Sequence, residues 1–98
     1  MATFILLTKL PSETLKNPRK RESMGRTWFD DVKAKCPKVK WIDHYALLGP
    51  YDFMDIYEAS SSEEAAKVSM ITMSKGAVNA ETWSALPYKR FLEIAKSL

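Results

Sequence analysis

A chain of 98 residues, 46% apolar and 28% charged, has the balance of one globular domain over 1–98, which excludes a disordered chain and a long apolar membrane span. A single cysteine, Cys36, excludes an internal disulfide and fits a reducing cytoplasm. The net charge of +3 is uneven, with ten Lys/Arg against five Asp/Glu in residues 1–50 and five against seven in 51–98; a nucleic-acid binder carries a denser basic stripe, so nucleic acid is not an expected partner.

Residues 3–9 (Thr-Phe-Ile-Leu-Leu-Thr-Lys) form a nearly continuous apolar run and predict a central strand covered on both faces. The run is too short to cross a bilayer and lacks a basic leader, so a cytoplasmic location with no membrane partner is expected. Pro11-Ser12-Glu13-Thr14 breaks it. Asn17-Pro18 then supplies a helix cap and a proline at the first helical position. Met24, Trp28, Val32 and Phe29 follow at helical spacing, so this helix runs to about Lys35 and Pro37 ends it. Arg19, Lys20 and Arg21 fall in its first turn, where the helix dipole disfavours cations; solvent and Glu22 relieve the conflict, as a bound anion also would.

Two strands come next, Lys40–Leu48 and Phe53–Ala59, rich in β-branched and aromatic residues and joined by Gly49-Pro50-Tyr51-Asp52. Ser60 with Glu63 and Ser61 with Glu64 both fit a capping box for a second helix. That helix turns Ala65, Val68, Ile71 and Thr72 inward and stops at Gly76. Residues 77–84 read as a fourth strand, and Pro87 starts a last helix with Phe91, Leu92 and Ala95 on one stripe.

The order β-α-β-β-α-β with a C-terminal helix is the α+β, ferredoxin-like arrangement, a four-stranded antiparallel sheet with both helices on one face. A sheet wetted on its other face alternates polar residues there. Here Phe4 and Leu6 face one side and Ile5 and Leu7 the other, while Trp41, Tyr45 and Leu47 stand against Ile42, His44 and Leu48. So wide an apolar surface is unusual on a monomer, and two sheets stacked face to face in a homodimer are expected. The hairpin register stays open. A three-residue loop sets Asp43 opposite Tyr57 and Tyr45 opposite Asp55; a two-residue loop sets His44 opposite Tyr57. Gly49 and Pro50 suit a turn better than a strand end, which favours the three-residue loop.

Leu48-Gly49-Pro50-Tyr51-Asp52-Phe53, followed by Ile56-Tyr57-Glu58-Ala59, resembles the signature of the GYD-domain proteins, named for a Gly-x-Tyr-Asp element at this hairpin. Ala80-Glu81-Thr82-Trp83-Ser84-Ala85-Leu86 looks like that family's last strand, and Phe4-Ile5-Leu6-Leu7-Thr8-Lys9-Leu10 is similar to its first. The resemblance covers nearly the whole chain and implies a dimeric α/β barrel. It implies no activity. Superfamily neighbours include cofactor-independent monooxygenases, isomerases and effector-binding domains, and transfer from them is analogy at the level of fold.

The residues with chemical potential gather near the hairpin. His44, with Asp43, Asp55 or Tyr57 beside it, can act as a general base in a pocket; otherwise it is a hydrogen-bonded strand or dimer-contact residue. Tyr51 and Asp52 serve the turn, or line a pocket mouth and hold a ligand. Trp28, Trp41 and Trp83 are core and interface residues, or an aromatic wall suited to a flat organic ligand. Metal-ligand spacings, a Gly-rich phosphate loop and a Gly-x-Ser-x-Gly elbow do not occur, so neither metal nor cofactor is expected. Cys36, despite Lys33, Lys35 and Lys38 nearby, reads as an inert thiol at a helix end. The leading functional reading is a small homodimer that binds a small organic molecule, or a partner protein, between sheet and helices. Its rivals are a cofactor-independent monooxygenase or isomerase using His44 as base with Tyr57 or Asp55 assisting, and a scaffolding subunit of a higher oligomer.

Overall fold

The computed structural model describes residues 1–98. In chain order the elements are β1 (Ala2–Lys9), α1 (Ser12–Leu15), α2 (Pro18–Lys35), β2 (Lys40–Ala46), β3 (Phe53–Ala59), α3 (Ser62–Ser74), β4 (Asn79–Ala85) and α4 (Tyr88–Lys96). The strands pair antiparallel in the order β2-β3-β1-β4. This is the ferredoxin-like α+β fold that the element order predicts.

Capping chemistry sets where the two long helices begin. The Asn17 side-chain oxygen accepts the Lys20 N–H at 3.1 Å and opens α2. Ser61 accepts the Glu64 N–H at 3.2 Å and opens α3. Glu64 reaches back to the Ser60 N–H at 2.9 Å, one residue further upstream than a strict capping box. Gly76 (φ 103°) carries the chain out of α3 at a positive φ that favours glycine, and a Cβ there would sit 3.1 Å from the tip of the Met24 side chain. That exit delays the fourth strand to Asn79, two residues later than expected. The stretch read only as a break closes one helical turn, α1, with the Thr14 and Leu15 N–H groups both donating to the Pro11 carbonyl.

Phe4 and Leu6 of β1 and Tyr57 and Ala59 of β3 face Val32 of α2, Cys36 just past its end, and Ala65, Val68 and Ile71 of α3; together these nine residues form the buried core. Leu6, Val32, Tyr57 and Val68 are wholly buried. Neither α2 nor α3 covers the opposite sheet face, where Tyr45 and Trp83 are about half exposed. Every residue of α4 is exposed, and the protein measures 50 × 30 × 18 Å.

The hairpin departs most from expectation. Trp41 opposes Tyr57, Asp43 opposes Ile56, His44 opposes Asp55 and Tyr45 opposes Met54, with Ile42 as an extra, bulged residue. Neither of the two registers read from the sequence forms. The connection is six residues, Leu47–Asp52, held by the Leu47 N–H donating to the Asp52 carbonyl at 2.8 Å. The cause is local: Pro50 has no N–H for a ladder, Gly49 sits at φ 147°, and the Asp52 N–H is taken by the Thr8 carbonyl at 2.9 Å. The bulge also overturns the expected faces. Trp41 and His44, three positions apart, both lie on the helix side, and Tyr45 lies on the other.

Candidate functional site

Between α2 and the β2–β3 edge lies a half-open cavity of about 590 Å³, a volume ordinary for small-molecule sites. Its apolar wall comes from Met24, Trp28 and Phe29 on α2, Trp41 on β2 and Phe53 on β3. This wall is fixed from behind. Trp28 Nε1–H donates to Thr72 Oγ1 at 2.9 Å, and the Thr72 hydroxyl donates to the Val68 carbonyl at 2.8 Å. Trp41 stands edge-on to Trp28 with ring centroids 5.4 Å apart, and 5.7 Å from Phe29. Gly25, in the middle of α2, also lines the cavity, and a Cβ there would meet nothing within 4 Å. An interior helical glycine costs about 1 kcal/mol relative to alanine. Packing does not ask for it; its missing side chain widens the cavity.

The polar end is built by the bulge. His44 Nδ1 lies 2.5 Å from Asp55 Oδ1 and donates to it, which leaves Nε2 as the free ring nitrogen. Asp55 is 3% exposed, and burial pushes its carboxyl above the ordinary value, an effect that His44 only partly offsets. The His44 ring stacks on Phe53, centroids 5.5 Å apart and planes within 11°. From the other element, the Arg21 guanidinium lies 4.8 Å from the same Phe53 centroid. A ring nitrogen held by a buried carboxylate at the mouth of an aromatic cavity can take a proton from a bound molecule, or accept a hydrogen bond from it.

Of the residues singled out from the sequence, the structure brings His44, Asp55 and Trp28 to this cavity and leaves four elsewhere. Tyr57 is buried between Phe4 and Trp41, 5.8 and 5.1 Å away, behind the cavity wall. Its hydroxyl and that of Thr82 are buried without a hydrogen-bond partner, and burial drives the phenol far above its ordinary pKa. Trp83 sits on the opposite sheet face, its Nε1–H donating to Glu81 at 3.0 Å. Asp52 accepts the Leu10 N–H at 2.8 Å and pairs with Lys9 at 3.7 Å, fastening the hairpin connection to the end of β1; Tyr51 flanks it outside the cavity. Asp43 belongs to the outer face of β2, where the Tyr45 hydroxyl donates to it at 2.6 Å and holds its carboxyl below the ordinary range. Cys36 is buried and its thiol pushed up by desolvation, against any activation by the nearby lysines.

Sequence reasoning passed over Gly25, Met24, Phe53 and the cavity role of Arg21. A glycine interrupting an otherwise sound helix and an arginine in a helix's first turn both break local rules, and those were the available signals.

Comparison with known proteins agrees with this architecture. Residues 4–95 match the GYD domain family. A relative from Thermus thermophilus, the glutamine synthetase and cystathionine beta-lyase binding protein, is 34% identical over 91 residues, covering 89% of this chain and 90% of that protein. The crystal structure of TTHA0845 from Thermus thermophilus matches with a TM-score of 0.59 and 21% identity, over 89% of this chain and 95% of that one. The structure of MtbAldR matches with a TM-score of 0.63 and 16% identity over 88% of this chain, which spans about half (53%) of that longer chain. The two structural likenesses speak to fold alone. A family match across almost every residue, joined by a relative at 34% identity, establishes that this chain belongs to the GYD domain family.

Proposed function

We propose that this GYD-family protein is a homodimeric binding protein that takes a small organic ligand in the cavity between α2 and the sheet. The observation that carries this reading is the cavity: an aromatic wall braced by the Trp28–Thr72 bond, a floor opened by Gly25, and a His44–Asp55 pair at its mouth. The homodimer is supported by two apolar surfaces that the chain leaves uncovered. One is the outer sheet face with Tyr45 and Trp83. The other is α4, whose Phe91, Leu92 and Ile94 are exposed. A nine-residue helix is not stable by itself in water. A second copy, related by a two-fold axis, supplies cover for both surfaces with one contact.

A thermal-shift screen of small organic ligands tests the cavity, run on the wild type, Gly25→Ala and Gly25→Trp. Alanine is expected to raise stability by about 1 kcal/mol through helix propensity. Tryptophan is expected to fill the cavity, so that ligands stabilising the wild type no longer stabilise this variant. Ligands that shift both equally would bind elsewhere and remove the reading.

A second reading, binding of a partner protein, is favoured by the name of the Thermus relative, a glutamine synthetase and cystathionine beta-lyase binding protein. Co-elution of this protein with purified glutamine synthetase or cystathionine beta-lyase is its test. The enzyme form of the cavity reading assigns His44 as base with Asp55 holding it. A His44→Ala variant that retains any turnover found would remove that assignment.

A further inference from the structure

The charged groups around the cavity are unequally engaged. Without His44, the lining holds three cations, Arg21, Arg26 and Lys75, and three carboxylates, Glu22, Asp43 and Asp55, so its formal charge is balanced. Every carboxylate, however, is already committed. Glu22 pairs with Arg26 at 3.0 Å, Asp43 accepts from the Tyr45 hydroxyl on the outer face, and Asp55 is buried under His44. Lys75 lies 3.7 Å from Asp31, which it shares with Lys35. Arg21 alone makes no ion pair. It is half-buried, and its recorded side-chain contact is the face of Phe53.

With its central carbon 4.8 Å from the Phe53 centroid and no carboxylate paired to it, the Arg21 guanidinium keeps N–H groups free to fork onto a carboxylate in two parallel hydrogen bonds. Trp28, Phe29 and Trp41 line the same space, whose surface is mainly apolar. Arg21 also belongs to the first turn of α2, where a cation is electrostatically misplaced unless an anion accompanies it. Charge vacancy, planar wall and dipole point the same way.

Building on the cavity reading above, we infer that the ligand is a planar aromatic carboxylate, its ring against Trp28 and Trp41 and its carboxylate on the Arg21 guanidinium. The preference is for negative charge, not for aromatic area alone. His44 Nε2 is the group left free to meet a second polar substituent on the ring.

The test uses three probes with one ring system and different charge: 2-naphthoate, 2-naphthamide and 2-naphthylmethylamine, titrated against the intact protein by calorimetry and by quenching of tryptophan emission. Naphthoate is expected to bind at least about tenfold more tightly than the amide, and the amine more weakly than either. In Arg21→Gln, naphthoate affinity is expected to fall to that of the amide while the amide's own affinity stays as in the wild type, which shows that the variant remains folded and its cavity intact. Equal affinity for naphthoate and amide, or a preference for the amine, overturns the carboxylate inference and leaves the cavity reading standing. No binding of any probe to the wild type removes the inference and counts against the cavity itself.

Discussion

Asp55 is a carboxylate placed almost out of reach of water and given a single partner. Desolvation dominates and raises its pKa above the ordinary 3.8, so the folded chain holds that proton more tightly than the unfolded chain does. The sign of the linkage follows. The stability this group contributes is fully present below pH 3.8 and is lost as pH climbs through the raised folded value. Asp55→Asn keeps an acceptor for His44 Nδ1–H and removes the titration. Its melting temperature, followed from about pH 3 upward, is expected to lack the downward component that the wild type shows on the alkaline side of 3.8. Parallel profiles for the two proteins would contradict the assignment. The sequence showed His44 and Asp55 as neighbours in a hairpin without saying which groups they face, because side-chain direction in a strand changes with every unit of register.

At the scale of elements, the bulge at Ile42 decides the site. In a regular strand Trp41 and His44, three positions apart, would face opposite sides. The extra residue lets both reach the helix side, one into the aromatic wall and the other onto Asp55. Deleting Ile42 would leave the observed pairs Trp41↔Tyr57 and His44↔Asp55 in an unbroken ladder. The shortened protein is therefore expected to fold with a stability change under about 1 kcal/mol, a shift of no more than roughly 8 °C in melting temperature, and to keep naphthoate binding. A loss of several kcal/mol would mean that the bulge is required for more than side-chain direction. The caps on α2 and α3, by contrast, were plain in the sequence. A short polar side chain three residues ahead of a helical N–H is a contact that needs no tertiary partner.

At the scale of the whole molecule, α4 is exposed along its whole length, and the outer sheet face carries Trp83 and Tyr45 to solvent. Sedimentation at micromolar concentration is expected to give a species of twice the 11.2 kDa protomer mass. Trp83→Glu, which sets a charge on the outer sheet face, is expected to convert it to protomers while the cavity on the other face goes on binding its probe. A wild-type protomer alone in solution would remove the dimer, and a larger stable species would favour an assembly subunit instead.

The element order, the helix caps, the two-faced apolar pattern and the membership of the hairpin motif were all written in the chain itself. Each depends on neighbours within a few residues, so spacing and residue type suffice to read it. The choice between the candidate roles of the three tryptophans, the removal of Tyr57 to the core, and the meeting of Arg21 with Phe53 depended on the packing of α2 across the β2–β3 edge. Those contacts join residues from different elements, such as Trp28 with Trp41 and Arg21 with Phe53, and turn on one bulged residue, and local patterning is blind to both.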